Sequence, residues 1–248
     1  MPVIDLTRIR AAVFDTDGVV TDTARVHAAA WKHVFDGFLH GRSAPFDIQA
    51  DYLRFVDGRG RLDGVRTFLS SRGITLPEGG PQDEPGAPTV HGLSLAKDAL
   101  FLRQVRRHGV AAFPSSVDLL AELRRRGCGI ALVSASRNCR TMIMSAGIVH
   151  LFDVVVDGVD AASLGLPGKP DPALFLRAAT LLDVPAARTA IFEDALPGVE
   201  AGRRGGFGLV VGVDRTGQEA ALRQRGADVV VRDLSEISLS GRVAVVHR

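Results

Sequence analysis

The chain has 248 residues, of which 46% are hydrophobic and 23% charged, with a formal net charge of +2. This is the balance of an ordinary globular protein with a sizeable core, one large domain or a core carrying an inserted one. No basic block or aromatic-interleaved basic stripe points to nucleic acid, and neither the N-terminal MPVIDLTRIR nor any later apolar run suits a signal peptide or a membrane span.

The first predicted strand is Ala11–Phe14, followed by VFDTDGVVTDT, in which carboxylates crowd around Gly18. Thr23 to about His40 reads as a helix with Trp31, Val34, Phe35 and Phe38 on one side. Further helical segments follow at Asp51–Val56 and Leu62–Leu69. The Pro/Gly-rich stretch 76–88 cannot be regular structure. Another helix is predicted from about Leu93 to Arg107.

After Pro114 the pattern changes to strands alternating with helices. Ser115–Arg126 reads as a helix with an N-cap serine and Gly127 as its stop. The strand Gly129–Val133, the helix Arg137–Ala146 and the strand Val154–Val156 come next. Then come a helix from Asp171 to Leu182 with Pro172 in its first turn, and the strand Thr189–Phe192. Gly198–Arg204 and Gln218–Arg225 are predicted helices, Gly208–Val213 and Asp228–Val231 predicted strands. Such alternation indicates an α/β, doubly wound (Rossmann-like) parallel sheet covered on both faces. Residues 24–108 lack it and read as an inserted all-helical domain, leaving 1–23 and 109–248 as the core. The Gly202–Gly208 stretch is not a dinucleotide fingerprint, because it closes a helix and precedes a strand.

The residues that follow each strand carry the functional signal. Asp15 and Asp17 follow the first strand; Ser134, Ala135, Ser136 and Asn138 follow the second. Lys169 lies in the loop after the third, and Glu193 and Asp194 follow the fourth. In an open parallel sheet the ligand crevice lies beyond these carboxyl ends. Four acidic groups converging there repel one another without a cation, and all-oxygen ligation suits Mg²⁺. Serine, backbone N–H groups and a lysine supply donors for a phosphoryl group, which transfers by positioning and charge neutralisation. One carboxylate can act as nucleophile and a second as proton carrier. Among 30 Lys plus Arg only Lys32, Lys97 and Lys169 are lysines, and two of the three fall in these motifs. Cys128 and Cys139 show neither metal spacing nor a disulfide framework, so reduced thiols in a cytoplasmic protein are expected.

DTDGVVTDT, the serine after the second strand, Gly168-Lys169-Pro170-Asp171-Pro172 and FEDALPGVEA resemble the four motifs of the haloacid dehalogenase superfamily. Asp22-Thr23-Ala24 with His27 and Trp31, Gly58-Arg-Gly-Arg61 and Leu95-Ala-Lys97 are similar to the beta-phosphoglucomutase-like subfamily. The resemblance spans residues 10 to 235. It implies that Asp15 is the nucleophile, that Asp17 is the acid/base, and that Asp15, the Asp17 backbone oxygen and Asp194 hold Mg²⁺, with Glu193 in or beside the shell. It further implies that Ser134, Ala135 and Lys169 bind the transferring phosphate, that Asn138 contacts the sugar phosphate or shapes that loop, and that Ser136 takes part in substrate binding. From the helical domain, acting as a cap, Arg61 beside Gly58 would hold a distal phosphate, and His27 and Lys97 would line a sugar site. Asp57 and the long 76–88 stretch depart from the subfamily pattern. The implied reaction interconverts beta-glucose 1-phosphate and glucose 6-phosphate. A phosphatase acting on a sugar phosphate or other small phosphomonoester shares every core motif and remains the rival reading. Ser134 and Ser136 also suit helix caps, and Trp31 suits core packing. The expected partner is a small sugar phosphate, with no nucleic acid or membrane; a monomer is plausible, and the sequence leaves the oligomeric state open.

Overall fold

A computed structural model describes residues 1–244. The chain divides into two compact units, Met1–Asp22 with Val110–Arg248 and Thr23–Gly109. In chain order, β1 (Val3–Asp5) and β2 (Ala11–Asp15) precede α1 (Ala24–Leu39), α2 (Arg61–Ser71) and α3 (Val90–His108) of the second unit. The first unit resumes with α4 (Pro114–Arg125), β3 (Gly129–Val133), α5 (Cys139–Ser145), β4 (Val154–Val156), α6 (Gly158–Leu164) and α7 (Ala173–Leu181). It ends with β5 (Thr189–Glu193), α8 (Leu196–Arg204), β6 (Leu209–Val213), α9 (Glu219–Arg225), β7 (Val229–Val231) and β8 (Ser238–Ser240).

Six strands form one parallel sheet in the order β4-β3-β2-β5-β6-β7. β2 and β5 are buried at every position, as continuous apolar runs covered on both faces should be. Phe14 stacks on Phe192 at 4.3 Å across the β2–β5 pair. Val13, Val133, Ile191, Phe175, Val199 and Val210 meet in one core cluster. From β2 the chain builds β3 and β4 on one side and β5, β6 and β7 on the other. The winding therefore reverses at β2, which puts the crevice beyond the carboxyl ends of β2 and its neighbours.

Several local expectations are corrected. Phe113, not Ser115, is the N-cap of α4, with Pro114 in its first turn. Proline is pre-organised for that position, and the serine hydroxyls are used elsewhere: Ser115 donates to Asp233 and Ser116 to the Val19 carbonyl. Pro172 is itself the N-cap of α7 rather than its first helical residue. α6 was not predicted; Asp157 and Asp160 start it with a reciprocal capping box. β1 and β8 form a separate two-stranded parallel sheet that the sequence did not suggest.

In the second unit, Trp31, Val34, Phe35 and Leu39 line one face of α1 and pack with Phe46, Val65, Phe68 and Leu93. Phe35 and Phe68 are fully buried, a burial that contributes roughly 1.5–3 kcal/mol for each side chain. Tyr52–Val56 is a short π-helical turn. Residues 76–88 carry no helix or strand, and Thr89 then caps α3 by accepting from the Gly92 N–H at 2.9 Å. Trp31 is a core residue here. Among the described residues no helix is long and apolar enough to cross a membrane.

Candidate active site

Asp15 is the last residue of β2, at the switch point, and is only 7% exposed. One carboxylate oxygen contacts the Lys169 ammonium, and the other accepts from the Asp17 N–H at 3.0 Å. Glu193 ends the neighbouring β5 and is fully buried; it too contacts the Lys169 ammonium and accepts from the Ala195 N–H at 2.7 Å. Lys169 thus bridges two carboxylates from adjacent strands. It sits in the loop before α7, joined to Pro170 by a cis peptide, with its ammonium 5.0 Å from the Phe175 ring centroid.

The electrostatics follow from burial. Burial pushes the Asp15 carboxyl up to about 8; Lys169 opposes the rise, and the Glu193 and Asp17 carboxylates add to it. Burial alone would pull the Lys169 ammonium down, but Asp15 and Glu193 outweigh it and hold the group protonated, above its usual range. Asp15, Glu193 and Asp194 bring carboxylate oxygens within 4.8 Å of one another. One ammonium does not neutralise these groups, and an oxygen-only donor set at that spacing fits a hard divalent cation.

Two glycines make the cluster sterically feasible. Gly18 has φ +83°, and a Cβ there would lie 1.9 Å from the Asp194 carboxylate. A Cβ on Gly198 would lie 1.7 Å from the Glu193 carboxylate. Both positions demand the absence of a side chain.

Ser134 follows β3 and is 1% exposed. Its N–H donates to the Val156 carbonyl at 3.0 Å, and its hydroxyl accepts from the Ser136 N–H at 3.1 Å. The Ser136 hydroxyl accepts from the Asn138 N–H, and its carbonyl from the Gly158 N–H. Neither serine caps α5, which starts at Cys139 after Asn138; they fold the loop that carries Ala135. Gly158 lets that loop approach, since a Cβ there would meet the Ala135 carbonyl at 2.7 Å. Sequence reasoning missed Asp157, fully buried beneath this loop, whose carboxylate accepts from the Val159 and Asp160 N–H groups. Its signal was the Asp-x-x-Asp spacing at the start of an unpredicted helix.

Cys139 lies beside Thr16 of the β2 loop, 3.5 Å away. Burial pushes both thiols, Cys128 and Cys139, up to about 12. Neither is expected to be alkylated by iodoacetamide in the folded protein at mildly alkaline pH, while both should react after unfolding. Mass spectrometry showing a labelled native protein would contradict this.

Within the helical unit, His27 and Lys97 come together, with Lys97 Nζ 2.5 Å from His27 Nδ1. Lys97 is 2% exposed, and the His27 ring stacks on Phe101 at 4.0 Å. Arg61, the first residue of α2, forms an ion pair with Asp98 of α3 at 2.5 Å. Gly58 turns the chain before it with φ +68°.

Residues 9–206 match the model of the haloacid dehalogenase-like hydrolase family. The chain belongs to this family. It is 46% identical over 240 residues to the beta-phosphoglucomutase of Mycobacterium bovis, covering 93% of this chain and 92% of that one. It is 33% identical over 239 residues to the beta-phosphoglucomutase of Bacillus subtilis, with 93% and 92% covered. The crystal structure of a beta-phosphoglucomutase from Clostridium difficile shares its fold, with a TM-score of 0.72 at 23% identity and 92% of each chain covered. The protein is therefore a phosphotransferase in the beta-phosphoglucomutase-like branch of the haloacid dehalogenase superfamily.

Proposed function

We propose that the protein is a Mg²⁺-dependent mutase that interconverts beta-D-glucose 1-phosphate and glucose 6-phosphate through the 1,6-bisphosphate. The observation that carries the phosphoryl-transfer part is the Lys169 bridge between Asp15 and Glu193, with Asp194 close by. The choice of sugar rests on the two relatives at 46% and 33% identity.

In this reading an Asp15 carboxylate oxygen attacks phosphorus, and an O–P bond forms as the P–O bond to the sugar breaks. Asp17 gives its proton to the departing C1 oxygen of the bisphosphate, releasing glucose 6-phosphate, and takes one back when the 6-hydroxyl of an incoming glucose 1-phosphate recovers the phosphoryl group from Asp15 to form the next bisphosphate. Ser134, Ala135 and Lys169 hold the transferring phosphate, with Asn138 and Ser136 keeping the loop in shape. Asp15, the Asp17 backbone oxygen and Asp194 would hold the metal, with Glu193 in or beside the shell and anchoring Lys169. When bound, the metal would neutralise charge on the phosphoryl oxygens. The helical unit serves as the cap: His27 and Lys97 meet the sugar, and Arg61 beside Gly58 takes the distal phosphate.

A mutase needs that second phosphate site and a phosphatase does not. A guanidinium grips phosphate through two parallel hydrogen bonds, so Arg61→Ala should reduce mutase turnover by on the order of tenfold for each ~1.4 kcal/mol of lost contact. Phosphorylation of Asp15 by acetyl phosphate, which has no distal phosphate, should stay near the wild-type level. If both activities fall together, or neither falls, Arg61 is not the distal clamp.

A further inference from the structure

Arg215 lies just beyond the carboxyl end of β6, outside every motif considered above. Its Nε donates to the Gly18 carbonyl at 2.9 Å, although the two residues are 197 positions apart. Its Nη1 donates to the Arg232 carbonyl at 3.1 Å and to Asp233 at 3.3 Å. The guanidinium carbon sits over Phe113, 4.0 Å from the ring centroid. Asp233 is anchored in turn by the Ser115 hydroxyl at 2.9 Å. Burial alone would raise the Asp233 carboxyl, but donors from Ser235, Ser115 and Arg215 hold it down at about 2, ionised against the guanidinium.

The Gly18 carbonyl is one of three consecutive carbonyls that accept hydrogen bonds from residues far along the chain. The Val19 carbonyl accepts from the Ser116 hydroxyl at 2.6 Å, and the Val20 carbonyl from the Phe113 N–H at 2.9 Å. The Gly18 N–H donates to the Thr21 carbonyl at 2.8 Å. Gly18 also abuts Asp194, which leaves no room for a Cβ. Of these contacts only the one to Gly18 comes from a charged side chain, and glycine is the residue whose peptide planes turn most freely. With the Gly18 N–H bonded to Thr21 and its carbonyl to Arg215, the peptides on both sides of Gly18 are held, and the first of them carries the Asp17 carbonyl.

We propose that Arg215 is a positioning residue that fixes the Gly18–Val19 peptide and, through Gly18, the Asp17 carbonyl for metal coordination, with Asp233 and Ser115 as its anchor. The inference rests on the reading of the Asp17 backbone oxygen and Asp194 as metal ligands. Groups that orient metal ligands typically matter by 10–100-fold in affinity. A lysine cannot replace the arginine fully, since a single nitrogen cannot span Gly18 and Asp233 as the planar fork does.

The test is a Mn²⁺ titration of the full-length protein, following free Mn²⁺ by electron paramagnetic resonance. Wild type, Arg215→Gln, Arg215→Lys and Asp194→Ala are compared, with thermal melts in parallel. The expected result is about tenfold weaker Mn²⁺ binding in Arg215→Gln, a smaller loss in Arg215→Lys, and the largest in Asp194→Ala. Wild-type Mn²⁺ affinity in both Arg215 variants, with binding lost in Asp194→Ala, would overturn the proposal even if the melting temperatures fell. Unchanged binding in Asp194→Ala would instead overturn the metal assignment itself, and the Arg215 inference with it.

Discussion

Asp15→Asn is expected to abolish phosphoryl transfer while leaving the protein folded. The amide is nearly isosteric with the carboxylate but is too poor a nucleophile to attack phosphorus. The fold should tolerate it well, because Asp15 is costly as an anion: it is buried, and Glu193 and Asp17 add negative charge. A carboxyl raised to about 8 binds a proton in the native state that the unfolded chain has already released above pH ~4. Its contribution in the metal-free protein therefore falls as pH rises from ~4 towards about 8. In chelator, the melting temperature of wild type should decline across that window, and Asp15→Asn should lose that part of the decline. Labelled phosphate incorporated by Asp15→Asn at the wild-type level would remove Asp15 from the nucleophile role.

The second large effect is expected at Lys169. Its side chain is 1% exposed, and it touches both Asp15 and Glu193. Lys169→Met keeps the aliphatic stem but leaves two buried carboxylates facing each other without their cation. Removing one partner of a buried pair typically costs about 3–5 kcal/mol, and each kcal/mol lowers the melting temperature by roughly 2–4 °C in a protein of this size. Added Mg²⁺ should recover part of that loss if the carboxylates hold a metal, whereas activity should not return, because the phosphate would lack its lysine. Calorimetry showing an unchanged melting temperature in metal-free Lys169→Met would show that the bridge contributes nothing to the fold.

The central strands were legible because each is a short apolar run ending in a polar residue that the topology sends to one edge. Asp15, Ser134, Lys169 and Glu193 were found that way, although 154 residues separate Asp15 from Lys169. What escaped was either short or non-local. α6 has 7 residues, and little but its Asp157–Asp160 box marks it. β1 and β8 pair only three residues from opposite ends of the chain, and Ser238–Ser240 offers a single apolar residue, too short a run to mark a strand. The Ser115 cap failed because Pro114 already occupies the first turn and Asp233 competes for the hydroxyl. Arg215 is one of many arginines, and nothing local shows that it reaches Gly18. The reason for Gly18 and Gly198 became visible only once Asp194 and Glu193 filled the space beside them.

The mutase reading is tested most directly by incubating the protein with beta-glucose 1-phosphate, Mg²⁺ and a trace of glucose 1,6-bisphosphate, while following glucose 6-phosphate and free phosphate together. The expected result is glucose 6-phosphate accumulating in step with loss of the 1-phosphate, with free phosphate near background. Stoichiometric free phosphate with no glucose 6-phosphate would contradict the mutase and identify a phosphatase working through the same core.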